Sequence, residues 1–255
     1  MMGAFSILFA TGAFFVFGFL RVPTASAATV TNCGITAGEV AQITAIENDA
    51  SLTASSEITQ ELALRKQLVG KTIVCAQQEA KTFQINLAST TVESNAQPLQ
   101  AQLSSNLAAA SSFYGLELTK LNTVGISGSE AIAQEVLSWR AGTFLPLSEN
   151  VNNFILWSQN QNLFETAQTR MTQTQQVVSF IESTTPNTAL QSAFNTAQAS
   201  FNNAASENAQ AKSALAQGLS PDQSLALIKQ SLGSLSAAYQ NLFTVSTLVT
   251  NILPQ

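Results

Sequence analysis

Residues 185–249 read TPNTALQSAFNTAQASFNNAASENAQAKSALAQGLSPDQSLALIKQSLGSLSAAYQNLFTVSTLV, and this stretch decides the fold. Leu190, Phe194, Ala197, Phe201, Ala204, Asn208, Ala211 and Leu215 follow one another at alternating intervals of four and three. That spacing is an apolar helical seam of heptad type. Thr185-Pro186 offers a capping hydroxyl and then a proline at a first helical position. Gly218 predicts a left-handed C-cap. Ser220-Pro221-Asp222-Gln223 restarts the chain with a capping-box pattern, and Leu225, Ile228, Leu232, Leu235, Tyr239, Leu242, Ser246 and Val249 carry the seam onward. Two seams joined by a short glycine-containing turn predict an antiparallel helical hairpin. Asn208, the polar member, reads as a register-setting contact made at some cost in stability.

Working back from the hairpin, Trp157, Phe164, Met171 and Val178 recur every seven residues, with Ala167 and Ile181 at the intermediate heptad positions. They predict a long helix that begins near Pro146 and packs on the hairpin. Gly125-Ile126-Ser127-Gly128-Ser129 reads as a turn. Ser127 with Glu130 predicts the cap of a short helix holding Val136, Leu137 and Trp139, which Gly142 closes. Leu99, Leu103, Leu107, Ala110, Tyr114, Leu121 and Val124 mark a further helix. Ile58, Leu62, Leu68, Val69 and Cys75 mark another, reaching Leu87, and Val40, Ile43 and Ile46 a shorter one before it. No stretch alternates with the period of a strand. The expected fold is all-α: an elongated antiparallel bundle of five or six helices with a coiled-coil-like C-terminal hairpin. The expected boundaries are 1–27, 28–125 and 126–255, with 28–255 as a single domain the alternative.

The first of these segments reads as an export signal. Ala4 to Leu20 is apolar and uncharged, Pro23 follows, and Ala25-Ser26-Ala27 has the small-x-small form of a cleavage site. No Lys or Arg precedes the run. Its length approaches a membrane span, so an uncleaved anchor over residues 4–20 is the alternative. Export gives the two cysteines a meaning: in an oxidising compartment Cys33 and Cys75 are most simply a disulfide. A pair of buried thiols is the bland alternative. Acylation of Cys33 is disfavoured, because Asn32 sits where a lipoprotein signal wants a small residue. No Asn is followed two positions later by Ser or Thr, so N-glycosylation is not expected.

Composition narrows the function classes. Charged residues make up 10% of the 255-residue chain, against about 25% in ordinary soluble domains. The net charge is −5 and no basic cluster exists, since Glu57 and Glu61 flank Arg65, Lys66 and Lys71. A nucleic-acid partner needs a basic footprint, and anionic lipid needs the same. There is no histidine, which removes the usual neutral-pH base and the commonest metal ligand. Weak charge repulsion makes self-association plausible.

The search for chemistry yields little. Glu182-Ser183 is the dipeptide used by helical lytic transglycosylases, but their Gly-Leu-Met-Gln segment is missing, and Glu182 reads as a solvated helix-end carboxylate. Trp139-Arg140-Ala141-Gly142 sets its glycine one residue later than the Trp-x-Gly turn of small secreted helical-hairpin proteins; it reads as a core Trp followed by a helix stop. Glu47 with Asp49 lacks the oxygen ligands of a calcium loop. Phe113 and Tyr114 read as core. No catalytic, cofactor-binding or metal residue is expected. The favoured function is an exported, non-enzymatic bundle acting through a protein partner, a surface or self-association. A ligand-sensing or solute-binding bundle is the alternative, and a carboxylate-only wall hydrolase a further one.

Overall fold

The computed structural model describes residues 35–252. Over these residues the chain is helical almost throughout and contains no strand. α1 spans Ala37–Glu47, α2 Ala54–Ala88, α3 Gln97–Leu121, α4 Ile126–Trp139, α5 Leu145–Thr184, α6 Thr188–Ala216 and α7 Pro221–Ile252. A single turn of π-helix, Arg140–Phe144, fuses α4 to α5, so the described residues form six continuous helical rods. The expected all-α bundle with a packed C-terminal hairpin is what the chain forms.

Each start has a local cause. At α1, Thr36 Oγ1 accepts the Glu39 N–H and the Glu39 carboxylate accepts the Thr36 N–H, a complete capping box. Thr53 caps α2 by accepting from Ser56 N–H. The cap of α6 is Asn187, whose Oδ1 accepts from the N–H groups of Ala189 and Leu190. The expected Thr185-Pro186 start lies two residues too early: Thr185 closes α5, and Pro186 sits in the connector. Asparagine wins because its short amide reaches both free donors of the first turn. Gly218 ends α6 as expected, at φ +63. Leu219 N–H reaches Ala214 O and Gly218 N–H reaches Leu215 O, a Schellman closure.

Two expectations around α4 are corrected. Of the turn expected at 125–129 only Gly125 precedes the helix, which starts at Ile126 with no side-chain cap. Gly128 permits this: a Cβ there would lie 2.6 Å from Val124 Cβ, so only glycine lets the incoming chain fold back over the first turn. Gly142 does not stop the helix. Pro146 lacks an N–H and its ring crowds the carbonyl four residues back, which is that of Gly142. The extra residue of the π turn absorbs this conflict, with Leu145 N–H reaching back five residues to Arg140 O. The rod therefore runs on from Ile126 to Thr184.

The largest core joins Ile73 and Leu87 of α2, Leu107 and Tyr114 of α3, and Ile132 and Val136 of α4. Phe144, Val151, Phe154 and Trp157 of the fused rod belong to it, as do Leu215 of α6 and Ile228 of α7. It therefore crosses residue 125. Beyond Trp157 the molecule narrows to α5, α6 and α7, held by two small clusters. One is Phe164, Ala167, Ala204 and Leu235; the other includes Met171, Val178, Ile181, Leu190, Phe194, Val245 and Val249.

The hairpin seam differs from its expected form on α7. Leu225, Leu232, Tyr239 and Ser246 are half-buried, while Ser224, Ser231, Ala238 and Val245, one residue earlier, are buried. On α6 the matching line is Ala197, Ala204 and Ala211, each 0% exposed. Small residues every seven positions on both helices let the backbones approach closely, because interaxial distance follows side-chain size at the contact. The larger residues then flank the line.

Candidate interaction surface

Charge is unevenly placed. Among the described residues, every ion pair joins residues between Glu39 and Arg140. Arg65 of α2 is the hub. Its Nε lies 2.6 Å from Glu61 of its own helix, Nη2 3.0 Å from Glu47 of α1, and Nη1 2.8 Å from Glu130 of α4. Lys71 pairs with Glu39. These two contacts dock α1, which has no buried residue. Lys71, with the Thr36 backbone N–H, holds the Glu39 carboxyl below its ordinary value.

A second polar group lies inside the body. Arg140 Nη2 meets Glu79 Oε2 at 2.7 Å, and both side chains are largely buried. The guanidinium sits 5.1 Å from the Phe144 ring centroid. Phe113 stacks on Trp139 at 4.1 Å, and Tyr114 meets Trp139 and Phe144 edge-on. Burial pushes the Tyr114 hydroxyl up, against the pull of Arg140. Neither Tyr114 Oη nor Arg140 Nη1 has a hydrogen-bond partner of good geometry. The π turn sets this arrangement, turning Arg140 toward α2 and Phe144 into the core. Sequence reading found the aromatics as core but missed the pair, since Glu79 and Arg140 are distant in sequence and each reads as solvated.

Seams joining α5 to the hairpin use amides instead. Asn208 and Gln161 exchange two hydrogen bonds, Asn208 Nδ2 to Gln161 Oε1 at 3.1 Å and Gln161 Nε2 to Asn208 Oδ1 at 3.3 Å. Trp157 Nε1 donates to the Asn208 carbonyl. Buried Asn153 donates to Pro221 O and Ser224 Oγ, tying α5 to the start of α7.

Past this level the bundle almost lacks charge. Arg170 lies over the Tyr239 ring at 5.3 Å and marks the boundary. From Met171 to Ser206 the only charged residue is Glu182, and from Gln230 to Ile252 there is none. Glu182 is occupied, accepting the Asn187 N–H at 2.9 Å across the α5–α6 connector. An open groove here is lined by Thr188, Gln191, Ser192, Asn195 and Thr196 together with Glu182. Phe180 of α5 and Phe243 of α7 are 69% and 65% exposed. Their neighbours Val178, Ile181 and Val245 share one core cluster, so both phenylalanines belong to the same end of the molecule.

Cys33 lies outside the described residues, and Cys75 is a half-buried position on α2. Glu47 serves Arg65, while Asp49 accepts from the Ser51 N–H and hydroxyl, which lower its pKa. Ser183 donates to the Phe180 carbonyl. Among the described residues no group of His, Cys, Asp or Glu is placed to hold a metal ion, and no helix is long and apolar enough to cross a membrane.

Fold and surface define a class, an all-α bundle with one charge-poor end. No family model, curated protein or solved structure matches the chain.

Proposed function

We propose that this is an exported, non-enzymatic bundle that works by protein contact at the far end of α5–α7. The observation that carries the reading is the pairing of exposed Phe180 and Phe243 with an almost uncharged surround. Other exposed apolar residues have an exposed charge nearby: Leu116 has Lys120 one turn on, and Leu137 has Glu135 two residues before. Exposed large apolar side chains in a low-charge setting are the composition of contact surfaces, where aromatics are enriched and charges depleted.

Export rests on residues 4–27 and on the cysteine pair. The ion pairs Glu39–Lys71 and Glu47–Arg65 make α1 antiparallel to α2. The chain entering α1 therefore comes in near the level of Cys75, one turn beyond Lys71, which favours a Cys33–Cys75 bond. Such a bond contributes about 4 kcal/mol in the chain-entropy model.

A photo-crosslinking residue at position 243, compared with one at 137, tests the reading in the producing cells, followed by fractionation and intact-mass analysis. The expected result is a crosslinked adduct from 243 alone, in the exported fraction. The chain itself should lack Met1 to Ala27 and two hydrogens. Absence of any adduct contradicts the contact reading, and a full-length chain in the cytosol contradicts export.

A further inference from the structure

We infer that the partner at this end is a second copy of the chain, which builds on the contact reading above. Two molecules of net charge −5 repel. In a two-fold contact the same patch meets itself, so a patch carrying net charge opposes its own sign. The far end of α5–α7 comes nearest to escaping this, with a single carboxylate per copy. Its one carboxylate, Glu182, is bound to the Asn187 N–H, and the other polar side chains there are Gln, Asn, Ser and Thr.

Amides and hydroxyls each donate and accept, so such a surface is complementary to itself without needing an opposite charge. A carboxylate or ammonium surface is not. Phe180 and Phe243 supply apolar anchors of the kind that dominate binding energy. The body offers no equivalent patch: Leu116, Leu137 and Ile85 are as exposed, but the exposed charges Lys120, Glu135 and Lys81 are close to them in sequence. Ion pairing there would have to be satisfied by an unlike partner.

Sedimentation velocity on the chain as recovered from cells tests the inference, with F180E/F243E against L116E/L137E as a control of equal charge change. The wild type and the control should form a dimer whose affinity does not fall as salt rises from ~50 to ~500 mM, since no attractive charge pair is there to be screened and the net repulsion weakens. F180E/F243E should raise the dissociation constant by roughly tenfold or more, the loss expected of buried aromatic anchors. Circular dichroism of each variant checks that the fold is intact, and F180S/F243S provides a second, uncharged pair with the same expected weakening.

A monomer at every concentration overturns the inference. So does association weakened equally by both variant pairs. If the wild type stays monomeric but position 243 still yields a heterologous adduct in cells, the contact reading stands and the second copy is wrong. If it stays monomeric and instead co-sediments with vesicles of zwitterionic lipid, the surface serves a membrane, and this inference is wrong.

Discussion

In the α1–α4 half, Arg65 gathers carboxylates from three helices and Arg140 pairs with Glu79 against stacked rings. In the outer half of α5–α7, Glu182 is the lone charge between Met171 and Ser206, and the helices meet along alanines and serines. The two halves solve the same packing problem with different chemistry. The body spends large side chains and fixed charges on joining helices that cross at several levels. The bundle end uses a line of small residues with heptad spacing, which leaves its outer faces free of any structural duty. The absence of charge at the far end is not forced by the packing: exposed Lys229 shows that an outward position on α7 accepts a charge nearer the body.

Mutation separates the halves most sharply in the cores. Phe144→Ala should cost about 3–5 kcal/mol, as buried aromatic truncations do, because Phe144 is 0% exposed and anchors the π turn in the main core. Urea unfolding should show a lower midpoint for the whole chain, since that core also holds residues of α6 and α7. Ala204→Leu should cost about 1–3 kcal/mol through overpacking, because nothing at that fully buried position can yield without spreading α6 from α7. The sharper test is locality: hydrogen exchange should quicken in α6 and α7 and leave α2 and α3 unchanged. Equal loosening of both halves would mean that the seam and the main core form one unit.

Next in size is the buried ion pair. Arg140→Met should cost about 1–3 kcal/mol by leaving Glu79 buried without its partner, and Glu79→Gln in the same chain should restore part of that loss. Asn208→Ala should cost about 1 kcal/mol, the worth of an ordinary hydrogen bond, and should leave Gln161 without its reciprocal amide.

The smallest effect is the most selective. Lys71 and the Thr36 N–H lower the Glu39 carboxyl from its ordinary 4.5. A depressed carboxylate contributes its stabilisation fully above its unfolded value and loses it as the pH falls through the folded one. Exchange of α1 amides should therefore quicken below pH 4.5, and also at high salt, while α6 and α7 stay unaffected. Invariance of α1 would mean that its half-buried Ile43 and Ile46, rather than the ion pairs, hold it.

What the sequence revealed and what it hid have physical causes. The hairpin and the long helix through Trp157 and Val178 were legible because their apolar residues repeat at helical spacing. The glycine cap at 218 was legible because only glycine takes φ +63 cheaply. The true line of closest approach on α7 was hidden because Ser224 and Ser231 read as polar, yet their small size is what the seam needs. The π turn was hidden because Gly142 and Pro146 each signal a break, and only their four-residue spacing shows how one extra residue reconciles them. Of the contact surface, the low charge was visible in composition. Its concentration at one end emerged only when the fold set residues 171–206 beside 230–252.

The most direct test of the central claim is hydrogen exchange as a function of protein concentration. Self-association through the charge-poor end predicts slower exchange at high concentration in residues 172–184 and 240–252, with α2, α3 and α4 unchanged. Protection that rises in the body instead, or nowhere, would contradict it.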